Sequence, residues 1–315
     1  MERALHDPER GYYARRIAAI GTGGDFTTAP KLSMAPARAL AAQFLALHER
    51  TGIRDIVELG PGDGSLSARL SRFLPWLVRR RVRFHLVESS PVLTERQRER
   101  FRGRRRFWHR HPDEALAATD GGRAFLFSNE LVDAFPVRRF RLVSGAWSES
   151  HVARGPGGQF AESFLPVAQE SLPDSTFFTA PFPEGTTVEV HESYRNWLAE
   201  WLGSWTEGEM ITIDYGGRLA DFRRNGPTGT LRAYLLHQRI TGPDVLANPG
   251  RQDLTADINF DDLLRWSAAF GLESLPLQPL AEFLAPHSTP ADTRLLDPQG
   301  AGEAFLVLRQ RLPPR

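Results

Sequence analysis

The sequence predicts an α/β fold: a largely parallel sheet with helices on both faces, interrupted by β-rich and helical insertions. Three observations predict it. DIVEL (55–59) reads as a buried strand, a glycine-rich turn follows, and SLSARLSRFL (65–74) then carries apolar residues at helical spacing. VRFHLVE (82–88) alternates as a second strand, and RAFLFSNE (123–130) reads as a third. Strands separated by helices pair in parallel through right-handed crossovers.

The remaining elements follow in order. Residues 1–33 are rich in Gly, Pro and Thr, and IGTGGDFTTAP (20–30) reads as loop, so 1–44 is taken as an N-terminal cap and lid. MAPARALAAQFLALHER (34–50) has apolar positions recurring at three and four, as a helix requires. Ser65 lies near the cap of the helix after the glycine turn. Pro91 opens another helix that runs to about Arg100, since proline suits a first turn. With these, 45–145 forms the first part of the core. From about 137 to 190, short alternating strands are broken by GPGG (155–158) and PFPEG (181–185). Residues 146–205 are therefore expected to be a substrate-facing insertion, ending in a helix at YRNWLAEWLGSW (194–205). EMITIDYG (209–216) is a buried strand with a polar tip, within a second core part at 206–235. A further insertion is expected at 236–300, with a helix near 261–270. EAFLVLRQ (303–310), in the tail 301–315, closes the sheet beside EMITIDYG.

Composition narrows the function. At 315 residues with 41% hydrophobic and 24% charged residues, the chain can bury a core without metal or disulfide staples. It has no cysteine, which excludes disulfides, iron–sulfur clusters, cysteine zinc sites and a cysteine nucleophile. No apolar run approaches the roughly 20 residues a membrane span needs. MERALHDPERGYY has no signal-peptide core, and its acids argue against a transit peptide, so a cytoplasmic location is expected. The net charge of +1 points to no acidic partner for the chain as a whole. Lys31 is the only lysine among the 39 basic residues, as codon bias in a GC-rich genome would produce. Twelve arginines fall within 79–110 against three acids, either a nucleic-acid patch or a solvated helix with its loops.

The strongest chemical signal is Glu58-Leu-Gly60-Pro-Gly62-Asp-Gly64-Ser65 between a strand and a helix. Glycines let the backbone approach a ligand, and the helix start offers free N–H groups. Glu88, 24 residues beyond Gly64 at the end of the next strand, is placed to accept from ribose hydroxyls. The spacing is G-x-G-x-G, not the G-x-G-x-x-G of a dinucleotide fold. No basic residue stands in the loop to meet a phosphate. E-x-G-x-G-x-G resembles motif I of class I S-adenosylmethionine-dependent methyltransferases, and Glu58 or Asp63 suits the cationic amino-acid end of that donor.

Eight segments extend the resemblance: ALHDPERGYY (4–13), GGDFTTAPKLS (23–33), VELGPGDGSL (57–66), VESSPVLTERQ (87–97), SNELVDAFPV (128–137), TIDYG (212–216), GTLRAYLLHQR (229–239) and DLTADINF (253–260). In this order they resemble the MidA-type family, the mitochondrial complex I assembly methyltransferases and their bacterial relatives. The resemblance implies a class I methyltransferase, Rossmann-like sheet and S-adenosyl-L-methionine as donor. It also implies a protein acceptor, since the mitochondrial members dimethylate a protein arginine symmetrically, and it leaves room for a homodimer. A small-molecule or RNA acceptor, and a non-catalytic assembly factor, are the competing functions; nucleic acid is the weaker partner.

The donor set implied is Glu58, Gly60, Pro61, Gly62, Asp63, Gly64, Glu88, Ser89 and Asn129, with Gly24, Asp25 and Thr27 of the lid. For the last group an Asx- or Ser/Thr-turn network is the plain alternative. Asn129, Glu130 and Asp133 follow a core strand at the carboxyl edge, where ligands of open α/β sheets sit, and form the catalytic set. An arginine acceptor is planar and cationic, so Glu130 can pair with one edge and localise the attacking lone pair. Asp133 is either a second partner or a helix cap. Tyr13, Asp214, Tyr215 and His237 are the acceptor-side candidates. Asp214 and Tyr215 equally suit a strand-end turn, and His237 an ordinary hydrogen bond. Asp253, Thr255 and Asp257 either meet substrate or cap the helix near 261. No metal is expected, because His109 and His111 lack the further ligands that a zinc site needs. Trp197, Trp201 and Trp205, at helical spacing, read as a core stripe.

Overall fold

The computed structural model describes residues 1–15, 33–103, 105–224, 228–236, 238–296 and 301–312. The core strands are β1 (Asp55–Leu59), β2 (Arg83–Val87), β3 (Arg106–His109) and β4 (Phe125–Asn129). Next come β5 (Arg138–Val143), β6 (Ala146–Arg154), β7 (Phe160–Pro166), β8 (Thr187–Val190) and β9 (Glu209–Gly217). They are followed by β10 (Arg232–Leu235), β11 (Gln238–Ile240), β12 (Asp253–Thr255), β13 (Ile258–Asn259), β14 (Glu273–Ser274), β15 (Gln278–Pro279) and β16 (Phe305–Arg311). The central sheet runs β14-β16-β9-β4-β1-β2-β3, with β13 on β9 and β15 on β16. β3, β2, β1, β4 and β9 are parallel, and β16 lies antiparallel to β9. The chain leaves β1 in one direction and returns at β4 on its other side. Between them lies the switch point where ligands of such sheets bind.

The helices used below are α1 (Glu2–His6), α2 (Tyr12–Arg15), α3 (Ala35–Thr51), α4 (Ser65–Phe73), α5 (Trp76–Arg79), α6 (Pro91–Arg100), α7 (Pro112–Ala117), α8 (Glu192–Trp201), α9 (Leu219–Arg224) and α10 (Phe260–Ala269). Their ends are chemically marked. Gly52, at φ 74°, ends α3 by donating to the His48 carbonyl. Ser90 caps α6 by accepting from Leu93 N, and Pro91 opens the first turn. No helix among the described residues is long and apolar enough to cross a membrane.

Alternation along the strands feeds two cores. Ile56, Phe125, Phe127, Ile211 and Ile213 pack under α3 and α4. Val57, Leu59, Leu126 and Met210 pack on the other face with Trp201, Trp205 and Trp266. With both faces covered, β1 is buried at every position. Of the tryptophan stripe, Trp201 and Trp205 are core, while Trp197 is only partly buried against it.

Four details differ from the sequence expectation. β3, in the arginine-rich RRRFWHRH, had no alternation to reveal it, so the strand at 123–130 is the fourth. The β-rich insertion starts at β5, because Arg138–Arg141 pairs with β8 in the sheet β7-β6-β5-β8, so 138–145 is not core. Within 206–235, β10 belongs to a separate sheet, β11-β10-β12. Within 236–300, β13, β14 and β15 join the central sheet, so that segment is not wholly inserted.

Candidate active site

The alternating glycines answer a backbone requirement. Gly60, Gly62 and Gly64 have φ of 65°, 54° and 74°, the left-handed region that side chains disfavour. A Cβ on Gly60 would also come within 2.6 Å of the Leu131 side chain. Gly60 N donates to Val87 O at 3.1 Å and Gly64 N to Pro61 O at 2.8 Å, which closes the turn. Asp63 accepts from Ser65 N at 3.0 Å and pairs with Arg100 of α6. Its charge is used in holding the loop. Glu58 has no basic partner among the described residues.

Glu58 is buried, and Ser67 Oγ donates to its carboxyl. Burial, opposed by that bond, pushes its pKa up to about 8. Glu88 ends the neighbouring strand, its own N–H donating to His109 O at 2.9 Å. Its carboxyl accepts from Ser90 N at 2.8 Å and from Gln97 Nε2 at 3.1 Å. Burial raises it to about 7. The same Gln97 amide donates to Gly62 O at 2.8 Å. One buried side chain of α6 thus ties the glycine turn to the acid of the next strand. Gln97 was not anticipated. Its signal was a polar residue four positions after Leu93, on the face of α6 that is buried.

The tip of β4 is built from distant segments. Glu130 has φ 52°, one of three non-glycine residues with positive φ among those described. Such a conformation costs on the order of 1–3 kcal/mol and persists where surroundings enforce it. Here Glu130 N donates to Ile213 O at 2.9 Å, Asn129 Nδ2 donates to Glu130 Oε1 at 2.9 Å, and Tyr215 OH donates to Oε2 at 3.3 Å. Asn129 Oδ1 is buried without a partner among the described residues.

Two acceptor-side expectations are corrected here. Asp214 is fully buried and accepts from Leu131 N (3.1 Å), Val132 N (2.8 Å), Asp133 N (3.4 Å) and Tyr215 N (2.9 Å). It shapes the turn after Glu130 and does not line the cavity. Tyr215 stands behind Glu130, with its ring on Phe305 at 3.9 Å between centroids. Asp133 is also corrected. It is buried, and burial followed by the Asp214 charge holds it well above the ordinary carboxylate range. It does not reach the cavity, so it cannot pair with an acceptor there, and it caps no helix. Nor do Asp253 and Asp257 cap α10. Asp253 accepts from Tyr13 OH at 3.0 Å, Asp257 pairs with Arg232, and Asn259 is the cap.

These groups bound one cavity of about 620 Å³ at the carboxyl ends of β1, β2 and β4. Glu58, Gly60, Pro61, Gly62, Asp63, Glu88, Ser89, Asn129, Glu130 and Tyr13 all line it. Gly64, Asp133, Asp214 and Tyr215 do not, and Gly64 serves the turn alone. Gly24, Asp25, Thr27 and His237 lie outside the described residues. The cavity also takes residues that the motifs did not name. His6 of α1 lines it with its ring stacked on Tyr13 at 5.4 Å. Asn196, Trp197 and Glu200 of α8 form the facing wall.

The protein family described as "Putative S-adenosyl-L-methionine-dependent methyltransferase" matches residues 37–277. The chain belongs to that family. The family's description names S-adenosyl-L-methionine as the methyl donor. It is 28% identical over 293 residues to "Protein arginine methyltransferase NDUFAF7 homolog, mitochondrial" of Drosophila melanogaster, covering 82% of this chain and 63% of that protein. Its identity to the Homo sapiens protein of that name is 29% over 296 residues, with 84% and 64% covered. The chain thus spans less than two thirds of the length of these relatives. A Burkholderia thailandensis protein, solved with bound S-adenosyl-homocysteine, superposes with TM-score 0.86 at 26% identity, over 98% of this chain and 85% of that one.

The site fits the donor on its own chemistry. A cavity of this size suits a nucleoside-sized ligand. Gly60 and Gly62 line it with backbone alone, which lets a ligand approach the turn closely. Glu88 and Glu58 both line the cavity, so it carries two carboxyls of the kind that ribose hydroxyls and an ammonium group require.

Proposed function

We propose that this methyltransferase modifies a guanidinium nitrogen of an arginine side chain in a protein acceptor. The observation that carries the proposal is Glu130. Its carboxylate sits on the cavity wall, and both oxygens are tethered, by Asn129 and by Tyr215. A held carboxylate is the partner that a planar, forked cation requires. Fixing it beforehand lowers the cost of aligning the acceptor. When bound, S-adenosyl-L-methionine supplies an electrophilic methyl group on a sulfonium. The attacking nitrogen must shed a proton, and Glu130 is placed to accept from it and to favour the lone pair on that atom. Asp214 holds the turn that presents Glu130. Asp214 and Asp253 both lie close enough to Asp133 to push its pKa up. The names of the relatives support an arginine acceptor. The arginine-rich block forms no single surface at the cavity: Arg79–Arg81, Arg102 and Arg105 precede β2 and β3 and lie at the opposite edge of the sheet, Arg100 is paired with Asp63, and Arg110 lines the cavity.

The test is label transfer from methyl-labelled S-adenosyl-L-methionine into protein, followed by hydrolysis and separation of the methylated amino acids. Label is expected in methylarginine. Glu130→Gln is expected to lower turnover by about a hundredfold or more, with donor affinity retained. Label in another residue, in RNA or in a small molecule, or full turnover by the variant, would overturn the proposal.

A further inference from the structure

The amino-terminal edge of the sheet carries a surface that methyl transfer does not use. α4 leaves the carboxyl edge and runs back, so the segment 74–82 that joins it to β2 lies at the amino edge. There Trp76 and Leu77 are 57% and 65% exposed. Val78, the next residue of α5, packs inward on the core, which turns its two predecessors outward. Arg72, Arg79, Arg80 and Arg81 are exposed around them. Phe84 N donates to Arg105 O at 3.0 Å, which brings the start of β3 alongside and adds the exposed Arg102 and Arg105. The sequence has no acid between Gly64 and Val87, nor between Arg100 and Pro112. Asp55, the nearby carboxylate at the start of β1, is buried and taken up by Arg83 through two bonds of 2.5 Å and by His85 at 3.1 Å. Among the described residues Arg72, Arg79, Arg81 and Arg105 have no carboxylate partner.

We propose that this edge docks peripherally on an anionic phospholipid bilayer, with Trp76 and Leu77 entering the headgroup region and the surrounding arginines meeting the lipid phosphates. An exposed tryptophan beside an exposed leucine suits the membrane–water boundary, where the indole is stable and the aliphatic chain leaves water. Arginines extend their charge outward while their stems cover apolar surface. Clustered basic charge supplies the long-range attraction. A nucleic-acid strand fits less well. Leucine offers a base neither stacking nor a hydrogen bond. The Arg80 guanidinium also lies over the Trp76 ring, 4.6 Å from its centroid, where a base would have to stack. Because the donor cavity opens at the other edge, a docked protein would keep it facing water and any acceptor.

The intact chain is spun with vesicles of phosphatidylcholine alone and of phosphatidylcholine with about one third phosphatidylglycerol. Binding to the anionic vesicles is expected to be at least about tenfold stronger and to weaken as salt rises. Among the described residues Trp76 is the only exposed tryptophan, so brominated lipid should quench a fraction of the emission that Trp76→Phe removes. W76S/L77S and R79Q/R80Q/R81Q are each expected to weaken vesicle binding about tenfold while leaving donor affinity and melting temperature unchanged. No binding to anionic vesicles at low salt, or equal binding by both variants, would overturn the proposal. So would tighter binding of a single-stranded RNA oligonucleotide that both variants lose, which would assign the surface to nucleic acid.

Discussion

The donor side and the acceptor side of the cavity are built in opposite ways. The donor side is local. Its glycines and Glu58 fall within seven consecutive residues, and Glu88 follows at the end of the next strand. The acceptor side joins the tip of β4 to the tip of β9 across some 85 residues, as the Tyr215–Glu130 bond shows. The N-terminal Tyr13, tied to Asp253, and α8 complete it. Local sites are specified by spacing, whereas assembled sites depend on sheet order. Substitutions on the donor side should therefore act on affinity, and those on the acceptor side on turnover or on the turn itself.

The largest effect should come from Gly62→Arg. A side chain at φ 54° strains the turn and intrudes on the cavity. Calorimetric titration should show donor affinity reduced by more than about a hundredfold, roughly 2.7 kcal/mol. Unchanged affinity would place the donor elsewhere. Next is Asp214→Ala, which strands the N–H groups of Leu131, Val132 and Asp133 in a buried turn. Losing such an acceptor costs about 1–3 kcal/mol, so the melting temperature should fall by several degrees. An unchanged melt with lost turnover would return Asp214 to a direct role.

Glu58 gives a smaller effect with a defined sign. Burial raises its pKa from 4.5 to about 8. Its folded state therefore holds a proton that the unfolded state has released. The stability this gives is fully present below pH 4.5 and is lost as pH rises through about 8. Glu58→Gln should accordingly melt above the parent at pH 9 and show little difference near pH 4. A cationic donor favours the carboxylate, so donor affinity should rise about tenfold between pH 6.5 and pH 8 and then level off. In Glu58→Gln that rise should shrink to what Glu88, at about 7, contributes. Donor affinity independent of pH would remove Glu58 from the ammonium end.

The same contrast explains what could be read before the structure. α6 was legible because Pro91 marks its first turn, and the structure adds Ser90 as its cap. The donor loop was legible because left-handed turns demand glycine. β3 was not, since it is an edge strand whose burial shows no alternation. Asp214 could be read either as an acceptor-side group or as part of a strand-end turn. A carboxylate at a strand tip looks the same in sequence whether it points into a cavity or back at the next turn, and only the pairing of β9 with β4 decides. Gln97 stayed hidden for a similar reason: its two bonds reach different segments, the glycine turn and the end of β2.

The smallest predicted effect is the most discriminating for the acceptor side. Tyr215→Phe removes one hydroxyl and keeps the ring on Phe305 and beneath the Arg232 guanidinium, 5.6 Å from its centroid. Packing should survive, and the melting temperature should barely move. The lost bond is long, at 3.3 Å, so its contribution is at the modest end, about 0.5–1.5 kcal/mol. That corresponds to a turnover lowered roughly three- to tenfold. Donor affinity should be unchanged, because Tyr215 does not line the cavity. In Glu130→Gln the hydroxyl has no carboxylate left to orient, so adding Tyr215→Phe to that variant should lower turnover little further. Additive losses in the double variant would mean that Tyr215 acts on the acceptor independently, and Glu130 would then not be the group it serves.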